Sequence, residues 1–312
     1  MSKVMTSINS VPPVSIVIPT YNRSWGLVRS VESVLSQSYQ DFELIIVDDC
    51  SPDDTEEVVR SLQDDRIRYF RQPQNVGVAE NWGTGLNLTQ GKFVTFLMDD
   101  DFYQPDFLAN RIVHLESNPS LVVVFSSYEL HDLQGNLAGT VIADWVNQTE
   151  LCAADLLKTI LARHWFIGAS MYRKDAVQSV WELAKRDRLI VDFSLAIYLA
   201  VHNAGTGLYL TAPDFIMTQH PGQNSQAKLR EVMLQTDQAL SRILSEFSDP
   251  QLARLIRREQ SSWKVLQARY LDLRSRSNLG QARSLIVDAL RVDFSNLWAW
   301  KQLSKLVLLG KL

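Results

Sequence analysis

Three consecutive carboxylates, Asp99, Asp100 and Asp101, follow directly on an apolar, β-prone run, Phe93-Val94-Thr95-Phe96-Leu97. Acids at the end of a buried strand repel one another and resist loss of water. A hard divalent cation such as magnesium or manganese suits their oxygens. Capping of a helix that opens near Pro105 is the alternative, and this stretch alone leaves both open. Two further polar clusters close apolar runs in the same way. Residues 14–18 (VSIVI) end at Pro19-Thr20-Tyr21-Asn22-Arg23, and residues 42–47 end at Asp48-Asp49.

The elements that must position these clusters come next. Residues 14–18, 42–47, 67–70 and 93–97 are short continuous apolar runs, as expected of strands buried on both faces. Helices fall between them. Leu27, Val31, Val34 and Leu35 have helical spacing, as do Ala79, Trp82 and Leu86. Ser51-Pro52 with Asp53 and Asp54 predicts a helix start, running to about Leu62. The alternation predicts a parallel, doubly wound sheet, in which ligands bind outside the carboxyl ends of the strands. All three polar clusters lie at such ends, which favours a site over a cap.

Downstream, the pattern predicts a helix over 105–116, a strand over 121–126 and a loop or hairpin over 128–148. A helix over 150–163 capped by Thr149, a strand over 166–172 and a helix over 175–185 follow. Asp192 opens an apolar helix, 208–218 is strand-like and 220–225 is a loop. From about residue 226 only helices are expected, near 227–247, 249–273, 278–291 and 295–310. Residues 278–305 are similar to one tetratricopeptide-like helix pair. A lone pair cannot bury its own face, so it must dock on the first domain or on a partner.

The chain of 312 residues is long enough for one large domain with an appendage. With 46% hydrophobic and 21% charged residues it reads as an ordinary soluble globular protein. A net charge of −4 gives no case for nucleic acid. Two cysteines, Cys50 and Cys152, fit a reducing compartment without a disulfide framework. Residues 1–13 form a leader without the apolar core of a signal peptide, and no apolar run reaches the length of a membrane span. A cytoplasmic protein is expected.

VSIVIPTYNR (14–23), LIIVDDCSPDDT (44–55), NVGVAENWGTGL (75–86) and FVTFLMDDDFYQPD (93–106), in this order, resemble the motifs of glycosyltransferase family 2. That is an inverting family with the GT-A fold. The resemblance covers about residues 14–225. It implies that residues 14–225 are a GT-A domain with a doubly wound, mainly parallel sheet flanked by helices, between the leader (1–13) and an all-helical C-terminal extension (226–312) read from the sequence pattern. It also implies transfer of a sugar from a UDP- or dTDP-linked donor to a hydroxyl of a glycan or lipid-linked acceptor, assisted by Mn2+ or Mg2+.

In that resemblance Pro19, Thr20, Tyr21, Asn22 and Arg23, with Asp49, Asn75 and Gly77, hold the nucleotide sugar. A carboxylate can accept a hydrogen bond from a base imide, and a tyrosine ring can stack on a base. For Asp48-Asp49 the plainer reading is turn polarity before Ser51-Pro52. The first acid of the family's aspartate motif falls on Met98 here. Asp99 then takes the ribose side and Asp100 the metal, with Asp101 a further ligand or a supporting group. His220 matches a family histidine near the diphosphate or metal, against a merely solvated loop histidine. Asp192, with Val191 where a glutamate commonly stands, matches the general base that deprotonates the acceptor, against a helix-capping acid. Arg71 and Arg173 are candidates for phosphate or acceptor contact, or surface charges. Trp165 and Phe166 are candidates for an acceptor platform, or core.

No Gly-x-Gly-x-x-Gly follows the first strand and no P-loop is present, which argues against a nicotinamide enzyme. The alternatives are a nucleotidyltransferase of related fold and a non-catalytic nucleotide-sugar-binding or assembly module that works through its tail. For that tail, the apolar Trp298, Trp300, Leu303 and Val307 predict peripheral contact with protein or with the inner face of a membrane.

Overall fold

The computed structural model describes residues 11–202, 206–220, 228–271 and 276–308. The amino-terminal half alternates strand and helix: β1 (Val14–Thr20), α1 (Ser24–Leu35), β2 (Phe42–Asp48), α2 (Thr55–Ser61), β3 (Ile67–Arg71), α3 (Val78–Leu88) and β4 (Phe93–Phe96). Next come β5 (Phe102–Tyr103), α4 (Phe107–Ser117), β6 (Leu121–Ser126), β7 (Tyr128–Asp132), β8 (Leu137–Val141), β9 (Thr149–Leu151), α5 (Ala153–Leu161), β10 (Ser170–Arg173), α6 (Lys174–Ala184) and α7 (Val191–His202). The domain closes with β11 (Thr206–Leu210) and β12 (Phe215–Gln219).

Eight strands form one sheet in the order β3-β2-β1-β4-β10-β6-β11-β9. β1 runs parallel to β2 and to β4, and β11 parallel to β6, whereas β10 is antiparallel to both of its neighbours. The chain steps outward from β1 to β2 and β3, then returns across β1 to β4. That reversal opens a crevice at the carboxyl ends of β1 and β4. A smaller sheet, β5-β12-β7-β8, stands beside it.

Alternate residues of the central strands feed two cores. Val17, Ile45, Val47 and Phe96 face Trp82 of α3 and Leu195 of α7. Ile16, Ile18, Leu44 and Ile46 face Leu27 and Val31 of α1 and Leu108 of α4. Burial on both faces is why these strands are unbroken apolar runs.

Several predicted elements differ. The second helix starts at Thr55 rather than at Ser51, because Asp53 is turned to accept from Ser24 N (3.0 Å) and from the Thr55 hydroxyl (2.6 Å). Thr149 is no cap: residues 149–151 pair antiparallel with β11, and Cys152 precedes α5. The strand expected over 166–172 is a 3-10 turn, Ile167–Ala169, followed by β10. The stretch 208–218 splits into β11 and β12, which belong to different sheets. The region 128–148, expected as a loop or hairpin, does contain the β7–β8 hairpin.

The tail comprises α8 (Leu229–Glu246), α9 (Pro250–Arg269), α10 (Arg276–Val292) and α11 (Leu297–Leu308). Asp249 caps α9, accepting from Gln251 N and Leu252 N, with Pro250 in its first turn. Met233, Leu240 and Ile243 of α8 and Leu252, Ile256 and Trp263 of α9 join the same apolar cluster as α5 and α7. The change of composition near residue 226 is therefore not a boundary between cores. α10 and α11 pack on α9 through Val265, Ala289, Leu290 and Ala299, and through Ala268, Ala282, Ile286 and Leu306. Among the described residues no helix is long and apolar enough to cross a membrane.

Candidate active site at the β1–β4 crevice

β1 delivers the buried Thr20 to the crevice, and the chain turns through Tyr21, Asn22 and Arg23 into α1. Asn22 has φ 55°, a left-handed conformation that asparagine tolerates, and its N–H donates to Ser51 Oγ (2.9 Å). Across the crevice the chain leaves β4 and turns at Met98–Asp101, where Asp101 N donates to Met98 O (3.1 Å). Two features of α1 clamp this turn. Ser30 Oγ donates to Asp101 O (2.6 Å), and Gly26 lies so close that a Cβ there would sit 2.6 Å from Asp99 O.

β5 then pairs with β12, matching Tyr103 to Phe215 and Phe102 to Ile216. This register carries Thr218 and His220 to the aspartates. Thr218 N donates to Asp101 Oδ1 (2.8 Å), and His220 Nε2 lies 2.8 Å from Asp100 Oδ2. Arg23 reaches in from the β1 side. Its Nη1 stands 2.9 Å from both Asp99 Oδ1 and Asp100 Oδ2. Residues more than seventy positions apart in sequence thus share one buried charge cluster.

Three carboxylates face one guanidinium, and all three are at least nine-tenths buried. Burial pushes the Asp99 carboxyl up to about 6, against the pull of Arg23 and with the repulsion of Asp100. Burial and then Asp100 hold Asp101 well above the usual carboxylate range. The cluster holds more acidic groups than cations, and burial penalises keeping all three ionised together.

Among the described residues no three His, Cys, Asp or Glu side chains form a metal cage. The donors present still fit a magnesium or manganese ion. Asp100 and His220 lie side by side within hydrogen-bond distance, an oxygen and a nitrogen donor, and such ions draw the rest of their shell from water and substrate phosphates. Asp101 aims its Oδ1 at the backbone of β12.

The other predicted residues distribute as follows. Pro19 lies within β1, paired with Val47. Tyr21 is 46% exposed at the rim, open for stacking. Asp49 accepts from Val76 N (2.7 Å) and Gly77 N (2.9 Å), so it orders the loop before α3; Gly77 has φ 87°. Burial raises the Asp49 pKa despite these two donors. Asn75 is exposed in that loop. Asp192 is half-buried in the first turn of α7, and the density of protein around it raises its pKa. No hydrogen bond or ion pair among the described residues joins it to the aspartate cluster. Only position 220 of the predicted loop 220–225 lies within the described residues.

Four further candidates make structural contacts. Arg71 donates to Asp48 Oδ2 (3.0 Å) and Ser51 O (2.9 Å), tying β3 to the loop after β2. Arg173 donates to the carbonyls of Leu121, Leu115 and Asn118, which satisfies the α4–β6 connection. Trp165 is core, and Phe166 packs on Tyr128 and Phe215. Sequence reasoning missed Gly26, Ser30 and Trp25. Trp25 is 55% exposed and stands edge-on to His220, with ring centroids 5.4 Å apart. A glycine and an exposed tryptophan in the first turn of an otherwise amphipathic helix were the available signals.

The model of the family described as glycosyl transferase family 2 matches residues 15–181. The GalNAc(5)-diNAcBac-PP-undecaprenol beta-1,3-glucosyltransferase of Campylobacter jejuni is 33% identical over 174 residues, 54% of either chain. The chain spans about half the length, or less, of the curated relatives it matches. Among solved structures, S. aureus TarS in complex with UDP-GlcNAc superposes with a TM-score of 0.65 at 16% identity, covering 90% of both chains. The mannosyltransferase PcManGT from Pyrobaculum calidifontis, in complex with GDP-Man and Mn2+, gives 0.58 at 16%, over 96% of this chain and 80% of that one. With more than half of its length matched by the family model and a GT-A arrangement of sheet and helices, the chain belongs to glycosyl transferase family 2.

Proposed function

We propose that the chain transfers a sugar from a UDP- or dTDP-linked donor to a hydroxyl of a glycan or lipid-linked acceptor, with inversion, in one displacement. The observation that carries this reading is the surplus of carboxylate over cation where β1 and β4 diverge, reached by both Arg23 and His220. The named activity of the Campylobacter relative and the UDP-GlcNAc held by TarS support the donor and acceptor classes.

In this reading each residue has a role. Tyr21 stacks on the base at the rim, Asp49 holds the loop that meets the nucleotide, and Asp99 anchors the ribose. Asp100 and His220, with Asp101 beside them, hold a divalent cation. That cation, when bound, offsets the charge that grows on the departing β-phosphate. Asp192 takes the proton from the acceptor hydroxyl as it attacks the anomeric carbon. A pKa raised by burial makes it a better base than an exposed aspartate.

A thermal-shift series with UDP-, dTDP- and GDP-sugars, with and without manganese, tests this. Stabilisation by a UDP- or dTDP-sugar that depends on manganese, followed by turnover of the same donor, is expected. Preference for GDP-sugars would overturn the donor class. Undiminished turnover in EDTA would overturn the metal.

A further inference from the structure

Charge is divided unequally along the chain. Residues 250–312 hold twelve Lys and Arg against four Asp and Glu, a net +8, so the preceding 249 residues carry −12 of the total −4. The basic part is α9–α11 and their connections, the helices farthest in sequence from the active site.

At the end of this region, of the expected contact residues Trp298, Trp300 and Leu303, Trp300 is exposed and the other two turn inward. Ala299 and Leu306 are buried, with Trp298 and Leu303 packed against the tail core beside them. The outward face of α11 carries Leu297, Trp300, Lys301, Ser304 and Lys305, all exposed and spaced three or four residues apart. Phe294, just before the helix, is 73% exposed, Leu297 82% and Trp300 39%. These side chains are held in place. The Trp300 indole N–H donates to Phe294 O (2.9 Å), and the two rings meet edge to face at 5.0 Å.

We propose that this tip docks on an anionic lipid bilayer, with Phe294, Leu297 and Trp300 entering the interface and Lys301 and Lys305 reaching the headgroups. Two observations favour a lipid surface over other occupants. Exposed aromatic and aliphatic side chains backed by lysines match the interface, where ring and ammonium each find their preferred depth. The tail's +8 against the −12 of the preceding residues gives a negative surface more attraction for the tail than for the rest of the chain. A polyanion such as RNA would use the charge but not the apolar tip. Docking in this pose is independent of which sugar is transferred.

Co-sedimentation of the full chain with vesicles tests the proposal. Vesicles of phosphatidylcholine containing about one third phosphatidylglycerol should bind at least about ten-fold more protein than phosphatidylcholine alone, with the difference lost in high salt. The double variants Phe294→Ser/Leu297→Ser and Lys301→Glu/Lys305→Glu should each lose about ten-fold of that binding. Both alter exposed side chains, and circular dichroism verifies their folding. Quenching of tryptophan fluorescence by brominated lipid should fall in Trp300→Phe. Equal binding to both vesicle types, or vesicle binding unchanged in the double variants, would overturn it. So would binding to polyuridylate without vesicle binding, or a dimer that disappears in Phe294→Ser/Leu297→Ser while vesicles are ignored.

Discussion

Among the buried charge clusters of the described residues, those around Arg111 and Arg23 are built on opposite principles. Around Arg111, which is fully buried, one guanidinium meets one carboxylate. Nη1 and Nη2 each stand 2.8 Å from an oxygen of Asp214, and the same nitrogens donate to Phe107 O, Ser126 Oγ and Ala169 O. Asn110 adds a further donor to Asp214. Charge is balanced, and α4, β6, the 3-10 turn and the loop before β12 are fastened together. Around Arg23 three carboxylates share one guanidinium and one imidazole, and Arg23 itself keeps 21% of its side chain in solvent. A balanced buried pair is a structural joint, because removing one partner strands the other. An unbalanced one stores electrostatic cost in the free protein and releases it when a cation arrives, which is what a binding site requires.

The sharpest way to break this comparison is to delete one acid from each cluster. Asp214→Ala strands Arg111 and should cost about 3–5 kcal/mol in urea denaturation. Asp100→Ala removes surplus charge, so stability should hold or rise while turnover drops on the order of a thousand-fold. Equal destabilisation by both would erase the distinction.

Asp192→Asn is next in size. Turnover should fall about a hundred-fold or more, with donor affinity unchanged by calorimetry. Because burial raises the Asp192 pKa, its contribution to the acid limb of the wild-type rate should lie above the ordinary aspartate value of about 3.9, and the acid limb of the variant should keep only what Asp99 and Asp101 contribute. Near wild-type turnover would return Asp192 to helix capping.

Gly26→Ala has a smaller effect that spans stability and activity. Its Cβ would meet Asp99 O at 2.6 Å, backbone that cannot swing away. Separating α1 from the aspartate turn should cost about 1–3 kcal/mol and lower the rate by displacing Arg23 from its acids. A stable, fully active variant would show that the close approach is dispensable.

The comparison also explains which features were legible in the sequence. β1, β2 and β4 are central and buried on both faces, so their apolar runs announced them, and with them the crevice. β9 has only Thr149, Glu150 and Leu151 at a sheet edge, and a threonine before a helix looks the same whether it caps or pairs. Arg111 and Asp214 are 103 residues apart, and nothing local distinguishes a buried arginine on an amphipathic helix from an exposed one. Arg71 and Arg173 stayed ambiguous for the same reason: charge is visible in sequence, but the carbonyls it satisfies are not. Met98, where the family has an acid, makes sense only in three dimensions, since its side chain packs against the core behind β4.

The finest difference between the clusters is in their response to acid. Burial raises the Asp214 pKa, but the charge and hydrogen bonds of Arg111, with Asn110 and Ser126, more than reverse this and hold it below the ordinary value. The unfolded chain, with a carboxyl near 3.9, therefore takes up the proton first as pH falls. The stability this group contributes is complete above that value and is lost as pH drops through the folded pKa. Urea midpoints measured from pH 6 downward should decline below about pH 4, and the decline should be shallower in Asp214→Asn. An unchanged slope would mean that Arg111 does not hold Asp214 ionised, and the balanced cluster would then owe its strength to hydrogen bonding rather than charge.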